Sequence, residues 1–231
     1  MSARYALYFA PAAGSRLESF GNRWLGRDAE TGAPLEQPWL DGLDGARLRR
    51  LTEAPRHYGF HGTLKPPFRL AEGKSEAELQ RALGAFASRQ EPITLPALRL
   101  QEIGDFLALT PRSPVPALSV LADACVTEFD SYRARPEQSE LAKRREAGLS
   151  LRQEELLARW GYPYVLDEFR FHLSLTGPID DAAERGRLMS LLMPLLTPVL
   201  AEPVPVRELC LFGQPDRATP FRLVRRFPFS T

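Results

Sequence analysis

The sequence predicts an α+β protein: a bilobal duplicated fold in which two antiparallel sheets, with helices on their outer faces, surround a central cleft. Segments with strand and helix patterns alternate along the chain, and the order strand, helix, strand, strand occurs twice. The segments FHGTL (60–64) and FHLSL (171–175) open the two occurrences, and their histidines are 111 residues apart (172 − 61). At 231 residues, the chain fits a single domain of two lobes.

The shift of 111 residues persists beyond these two segments. It also relates Glu91-Pro92 to Glu202-Pro203 and Leu98 to Leu209, on the far side of a predicted helix. A register kept through a helix without insertion indicates internal duplication. We therefore divide the chain into a first half (about 45–115), a helical insert (about 116–160) and a second half (about 161–231).

The elements of the first half follow from periodicity and capping. Alternation predicts strands, Ser75 with Glu78 forms a capping box, and the two prolines after the first motif are expected to end its strand. The predicted elements are a strand at 4–10, a short helix near 15–24 within an otherwise irregular segment, a strand at 58–64, a helix at 76–89, and strands at 93–103 and 106–109.

The insert is mostly helical by pattern. Gly148 breaks it, Ser150 with Gln153 forms a second capping box, and Gly161 with Pro163 closes it. Beyond it, a strand at 169–175, a helix at 182–195 and strands at 204–212 and 221–227 are predicted.

Composition narrows the functional classes. Thirty basic and twenty-nine acidic side chains give a formal charge of +1, so binding of long nucleic acid is not expected. Cys125 and Cys210 form no CxxC pair and are predicted to be buried thiols, and no apolar run reaches the ~20 residues of a membrane span. We expect a cytoplasmic protein without membrane contact.

Each motif places one imidazole beside one hydroxyl. Alternate side chains of a strand share a face, so His61 lies with Thr63 and His172 with Ser174. A pseudo-twofold axis would bring both faces together. Two imidazoles then supply a general base and a general acid near neutral pH, and two hydroxyls donate hydrogen bonds to phosphoryl oxygens. This combination indicates cleavage of a phosphodiester or cyclic phosphate without a metal.

A zinc site is the competing interpretation. His57 and His61 have the i, i+4 spacing of helical zinc motifs, but no HExxH glutamate lies between them. The strand pattern places His57 at the rim of the cleft or on the surface.

Three further residues are candidate substrate contacts. Lys65 shares the parity of His61 and would neutralise phosphate. Tyr8 on the first strand would stack on a sugar or base, with core packing as the alternative, and Tyr58 would approach the ligand from a bend before its strand. Arg23 and Arg27 flank Trp24 and form either a lid contact or a polar loop.

The motifs His61-Gly-Thr-Leu and His172-Leu-Ser-Leu resemble the two signatures of the 2H phosphoesterase superfamily, which includes RNA 2′,3′-cyclic phosphodiesterases. The words YGFHGTLKPPF, RYALYFAP, WLGRDAETG and FRLVRRFPF look like the bacterial branch found beside phosphonate-utilisation genes. The resemblance covers nearly the whole chain. It implies that His61 and His172 are the acid/base pair, that Thr63 and Ser174 bind phosphate, and that no metal or cofactor is used.

These observations predict a metal-independent phosphoesterase that acts on a small sugar phosphate or nucleotide-like molecule, with phosphonate breakdown as the context implied by the resemblance. The alternatives are an RNA-end 2′,3′-cyclic phosphodiesterase or ligase and a non-catalytic nucleotide or phosphate-ester binding module. The insert is expected to narrow or cover the cleft, which favours a small substrate.

Overall fold

A computed structural model describes residues 3–146 and 148–230. It contains nine strands and eight α-helices in these ranges. In chain order they are β1 (Arg4–Phe9), α1 (Arg16–Leu25), α2 (Gly45–Leu51), α3 (Glu53–Tyr58), β2 (Gly62–Arg69), α4 (Glu76–Ala87), β3 (Ile93–Leu95), β4 (Leu98–Ile103), β5 (Phe106–Pro111), α5 (Pro116–Glu128), α6 (Gln138–Arg145), α7 (Leu151–Trp160), β6 (Leu173–Ser174), α8 (Ala182–Leu196), β7 (Val204–Val206), β8 (Glu208–Gln214) and β9 (Arg222–Pro228).

Seven strands form one antiparallel sheet in the order β4-β5-β6-β2-β1-β8-β9, and β3 and β7 form a second, two-stranded sheet. The predicted α+β class is confirmed. The large sheet is joined at its middle by one residue pair, Gly62 with Leu173. Each side of this junction contains strands from both halves of the chain, because β5 pairs with β6 on one side and β1 lies between β2 and β8 on the other.

Residues related by the shift of 111 are partners at two places. Gly62 pairs with Leu173 in the large sheet, and Thr94 pairs with Pro205 in the small one. Around the latter, Ile93 faces Val206 and Leu95 faces Val204, so exchanging the two strands leaves the register unchanged. A local twofold axis that passes through both pairs would relate the strands in this way. The pairing therefore supports the proposed duplication.

The main core lies on one face of the large sheet. Helices α4 and α8 contribute Leu79, Leu83, Leu188 and Leu192 to it, all fully buried. Strand residues that point to this face include Leu109 and the paired Leu173. Burial of each such side chain stabilises the fold by about 1.5–3 kcal/mol, so α4 stabilises the side of the sheet that contains β8 and β9, and α8 the side that contains β4 and β5.

Several helix ends agree with the capping signals. Ser75 and Ser150 each accept from the backbone N–H three residues later, and both capping boxes are complete. Gly161 ends α7 in the left-handed conformation. The insert is helical as predicted, with α5, α6 and α7.

The strand predicted at 58–64 is wrong at both ends. Tyr58 ends helix α3, and β2 begins at Gly62 and continues through the two prolines to Arg69. Tyr5 pairs with Phe68 and Leu7 with Lys65, so both prolines lie where the register slips and where no regular ladder hydrogen bond is lost.

In the described part of the chain, the helices are too short or too polar to cross a membrane.

Candidate active site

The two motif histidines flank the central pair of the large sheet. Gly62 and Leu173 are partners, so continuing the register by one residue places His61 opposite Ser174 and His172 opposite Thr63. Directly opposed residues share a face, and the imidazoles therefore occupy one diagonal of a four-residue cluster and the hydroxyls the other. The structure brings these four predicted site residues together.

Both imidazoles are held in the same way. His61 Nδ1 lies 2.8 Å from the Gly59 carbonyl oxygen, and His172 Nδ1 lies 2.8 Å from the Arg170 carbonyl oxygen. A carbonyl oxygen only accepts hydrogen bonds, so Nδ1 carries the proton in each neutral ring. Nε2 is thus the unprotonated nitrogen of both neutral imidazoles.

His61 is the more enclosed of the two. Its ring stacks on Tyr8 with centroids 3.7 Å apart, and its Nε2 lies 3.1 Å from Thr63 Oγ1, which donates. Burial lowers the pKa of His61 to about 4, and His172 contributes a smaller lowering. At neutral pH the imidazole of His61 is therefore uncharged and able to accept a proton.

The second motif has a different environment. The ring of His172 lies 5.6 Å from that of Phe106, and burial lowers its pKa. Ser174 is half-buried on β6 and pairs with Ala108 of β5. The short side chain of Ala108 and the partly buried hydroxyl of Ser174 therefore border the His172 side of the cluster.

The position of Gly59 depends on a residue that the motifs do not contain. Arg27, 8% exposed, donates to the Arg56 carbonyl at 2.9 and 2.8 Å and to the His57 carbonyl at 3.4 Å. These are the last carbonyls of α3, and Gly59 follows with φ of 81°, a conformation that favours glycine. Arg27 therefore fixes the turn whose carbonyl orients His61. The only sequence signal for Arg27 was its place after Trp24. The prediction of a lid contact or a polar loop is wrong for Arg27, because its guanidinium is buried, whereas Arg23 is exposed.

Lys65 lies away from the histidines. It is 2% exposed and its Nζ donates to the Val126 carbonyl of α5 at 2.9 Å. The predicted shared face is wrong because β1 pairs Tyr8 with Thr63 and Leu7 with Lys65, which leaves Leu64 as an extra residue. This bulge reverses the alternation, so Lys65 points to the helices. Desolvation lowers its pKa to about 8.

The two candidate tyrosines differ in position. Tyr8 is 1% exposed and its ring supports that of His61, so the predicted stacking on a ligand is replaced by packing. Tyr58 is half-buried at the end of α3, with its ring 6.4 Å from His61 and stacked on Phe221 at 5.4 Å. Of the two tyrosines, Tyr58 alone has surface left near the histidines.

The third histidine and the cysteines are separate from this cluster. His57 Nε2 accepts from the Gln214 side-chain amide at 2.8 Å. Cys125 and Cys210 are buried free thiols whose pKa values burial raises. Within 3–146 and 148–230, no three His, Cys, Asp or Glu side chains are grouped as a metal site requires.

The insert is attached close to this face. Glu140 of α6 pairs with Arg69 at the end of β2, and also with Arg217 in the turn between β8 and β9. Burial raises the pKa of Tyr8, and Tyr58 and Tyr162 add smaller raising effects.

The family model described as "Protein of unknown function (DUF1045)" matches residues 63–222. A protein of Janthinobacterium sp. (strain Marseille) named Ribose 1,5-bisphosphate phosphokinase PhnN is 40% identical over 238 residues, which cover 98% of this chain and 51% of the relative. A protein of the same name from Laribacter hongkongensis (strain HLHK9) is 36% identical over 222 residues, covering 96% of this chain and 51% of the relative. The chain spans about half the length of these curated relatives.

Among solved structures, E. coli LigT complexed with 3′-AMP is 15% identical with a TM-score of 0.44, and the similarity covers 100% of both chains. A structure described as a phosphoesterase is 16% identical with a TM-score of 0.43 and the same coverage.

Proposed function

The chain belongs to the DUF1045 family, and we propose that it is a phosphoesterase that opens a cyclic phosphate ester of a small sugar phosphate by two-histidine acid/base catalysis. One observation carries the proposal. On one sheet face, two imidazoles flank the Gly62–Leu173 pair, each with Nδ1 bonded to a carbonyl, so that Nε2 is the nitrogen available for proton transfer, in His61 once the Thr63 hydroxyl turns from it to the substrate. The hydroxyls of Thr63 and Ser174 lie beside them.

In the proposed reaction, a water oxygen attacks phosphorus while one neutral imidazole takes the water proton on Nε2. The bond between phosphorus and the departing sugar oxygen breaks, and the protonated second imidazole gives its Nε2 proton to that oxygen. Hydroxyl groups donate to the non-bridging phosphoryl oxygens as negative charge grows on them. Each proton lost by one group is gained by another, and proton exchange with solvent restores the starting protonation states of the two imidazoles before the next cycle.

We assign the base to His61 and the acid to His172. The pKa of about 4 keeps His61 unprotonated over most of the pH range. His172 has the carbonyl of Arg170 as its only hydrogen-bond partner among the described residues. A phosphate anion bound next to it would favour its protonated form.

The relatives' names suggest a substrate class. Both are named for ribose 1,5-bisphosphate, and this chain matches about half of each. A ribose 5-phosphate whose O1 and O2 share a cyclic phosphate yields ribose 1,5-bisphosphate when the bond between phosphorus and O2 is hydrolysed. We propose that such pentose cyclic phosphates are the substrates. Phosphonate breakdown remains the proposed context.

A kinase site of the P-loop type is not supported within this sequence. Gly73-Lys74-Ser75 has the last three residues of that motif, but Phe68 stands where its first glycine is required. We therefore propose that the phosphokinase activity in the relatives' names belongs to the part of those proteins that this chain does not match.

The test is turnover of cyclic phosphates in the presence of EDTA by the wild type and by His61→Ala, His172→Ala and His57→Ala. Pentose 1,2-cyclic phosphate, its 5-phosphate, nucleoside 2′,3′-cyclic phosphates and a short RNA with a cyclic end form the substrate panel. We expect kcat to fall about 10²–10⁴-fold in each motif variant, because each imidazole supplies one proton-transfer role. His57→Ala is the matched control, since its imidazole bonds Gln214.

An activated diester separates acid from base. A p-nitrophenolate leaving group needs no proton, so His172→Ala should lose far less activity on a p-nitrophenyl diester than on a sugar cyclic phosphate, whereas His61→Ala should lose both. The reverse pattern would exchange the two roles.

The alternatives give different results on the same panel. Preference for the RNA end would support an RNA cyclic phosphodiesterase. Binding without turnover, kept in His61→Ala, would indicate a binding module. Activity abolished by EDTA would contradict the metal-independent mechanism.

A further inference from the structure

Three arginines line one cavity of about 840 Å³ next to the segment that leads into His172. Arg99 lies on β4, Arg112 follows β5, and Arg170 precedes β6. All three are exposed, and none forms an ion pair within residues 3–146 and 148–230. We call Arg99, Arg112 and Arg170 the arginine pocket.

The strand residues of the pocket lie on the sheet face of the histidines, whereas Leu118 and Phe171, which also line the cavity, belong to the main core. Leu98, Leu109 and Leu173 belong to the main core on the other face, and side chains alternate along a strand. Arg99 follows the first of these leucines, so it points to the site face.

A polar pair on the same face connects the pocket to the sheet. Thr110 is the strand partner of Arg99, and its hydroxyl donates to Gln101 Oε1 at 2.8 Å. Gln101 and Thr110 also line the cavity. The pocket is therefore built on β4 and β5, at the side of the sheet next to β6.

Its distance from the reacting centre suits a small substrate. Arg170 precedes His172 by two residues, so their Cα atoms are at most about 7 Å apart. The same residue's carbonyl accepts from His172 Nδ1. With one phosphate of a pentose bisphosphate at the histidines, the other phosphate is then within reach of the long Arg170 side chain.

The charge of the cavity favours an anion. Its one acidic lining residue, Glu102, is already paired with Arg185. Guanidinium groups bind phosphate oxygens with paired, charge-assisted hydrogen bonds.

We propose that the arginine pocket binds the phosphate group of the substrate that is not attacked, and so selects sugar cyclic phosphates that carry a second phosphate. This inference rests on the proposed function. It assigns the choice of substrate to residues outside the two histidine motifs.

The test compares binding of ribose 1,5-bisphosphate and ribose 1-phosphate by calorimetry, in the wild type and in Arg99→Gln, Arg112→Gln and Arg170→Gln. We expect the bisphosphate to bind at least about tenfold more tightly to the wild type, and each substitution to reduce that ratio severalfold. Arg187→Gln is the matched control, because this exposed arginine lies on α8, away from the cavity, and should leave the ratio unchanged.

Equal binding of the two ligands by the wild type, absence of binding by both, or a ratio that the three substitutions leave intact would overturn the inference. These measurements need no turnover. An inactive protein that still distinguishes the two ligands would refute the proposed reaction and retain the arginine pocket, whereas an active protein that does not distinguish them would do the opposite.

Discussion

Replacement of Arg27 by alanine should weaken both the fold and the orientation of His61. The guanidinium holds the carbonyls of Arg56 and His57 at the end of α3. Gly59, whose carbonyl accepts from His61 Nδ1, follows directly. Without Arg27, both carbonyls lose their charged donor and keep only a backbone N–H, that of Gly59 for Arg56 and that of Phe221 for His57, and the turn before the motif loses one restraint.

The size of the effect follows from these bonds. A hydrogen bond to a charged group contributes about 1.5–3 kcal/mol, and two carbonyls lose such a donor. Removing a buried guanidinium recovers part of its desolvation cost, which also lowers the pKa of Arg27. We expect a net loss of about 2–4 kcal/mol in the free energy of unfolding, and a midpoint of thermal unfolding lower by about 10 °C.

Urea denaturation followed by tryptophan fluorescence measures the loss, because Trp24 is buried near this turn. Arg23→Ala is the matched control: this exposed arginine lies in the last turn of α1, where its charge contributes only about 0.3–1 kcal/mol. Because Arg27 acts through another residue, kcat on a cyclic phosphate should fall more than KM rises, and Arg27→Lys should recover part of it.

A loss below about 1 kcal/mol in Arg27→Ala, or an equal loss in Arg23→Ala, would refute the account of Arg27 as the support of this turn. Full kcat in a destabilised variant would show that Gly59 keeps its position without it.

Three further predictions follow from the site. The base His61 is unprotonated above its pKa of about 4, and the acid His172 is protonated only below its own lowered pKa. The value of kcat/KM, which depends on the pKa values of the free enzyme, should therefore peak below pH 6.5. A maximum above pH 7.5 would contradict the assignment. Gly62→Ala puts a Cβ 2.4 Å from the Phe171 ring and should cost about 1–3 kcal/mol in urea denaturation, whereas Gly186→Ala, with open space around it, should not destabilise. Lys65→Met should lower the unfolding midpoint and keep kcat/KM near the wild-type value, since the amine bonds Val126 on the helix side; a large loss of kcat/KM would place Lys65 at the substrate after all.

The sequence predicts the parts of the site that depend on alternation within a regular strand. His61 with Thr63 and His172 with Ser174 follow from a period of two, and the capped helices from local signals at Ser75 and Ser150.

Other parts depend on irregularities or on strand order. The bulge at Leu64 turns Lys65 away, and no residue type in the motif indicates it. The positive φ of Gly59 makes Tyr58 the end of a helix. The arginine pocket is formed where β4, β5 and β6 lie side by side. These strands become neighbours because β5 pairs with β6, although the insert separates the two strands in the sequence.

The pairing register and the different surroundings of the two histidines have separate consequences for the proposed catalysis. Because Gly62 pairs with Leu173, the two motifs receive equivalent places on the sheet and both imidazoles expose the same nitrogen. Equivalent histidines would have equal pKa values, and neither would be preferred as base. On the first motif, Tyr8 covers the ring of His61 and Thr63 bonds its Nε2, whereas His172 has Phe106 nearby and leads to the arginine pocket. The register therefore brings the two imidazoles together, and in the proposed mechanism their unequal surroundings make His61 the base.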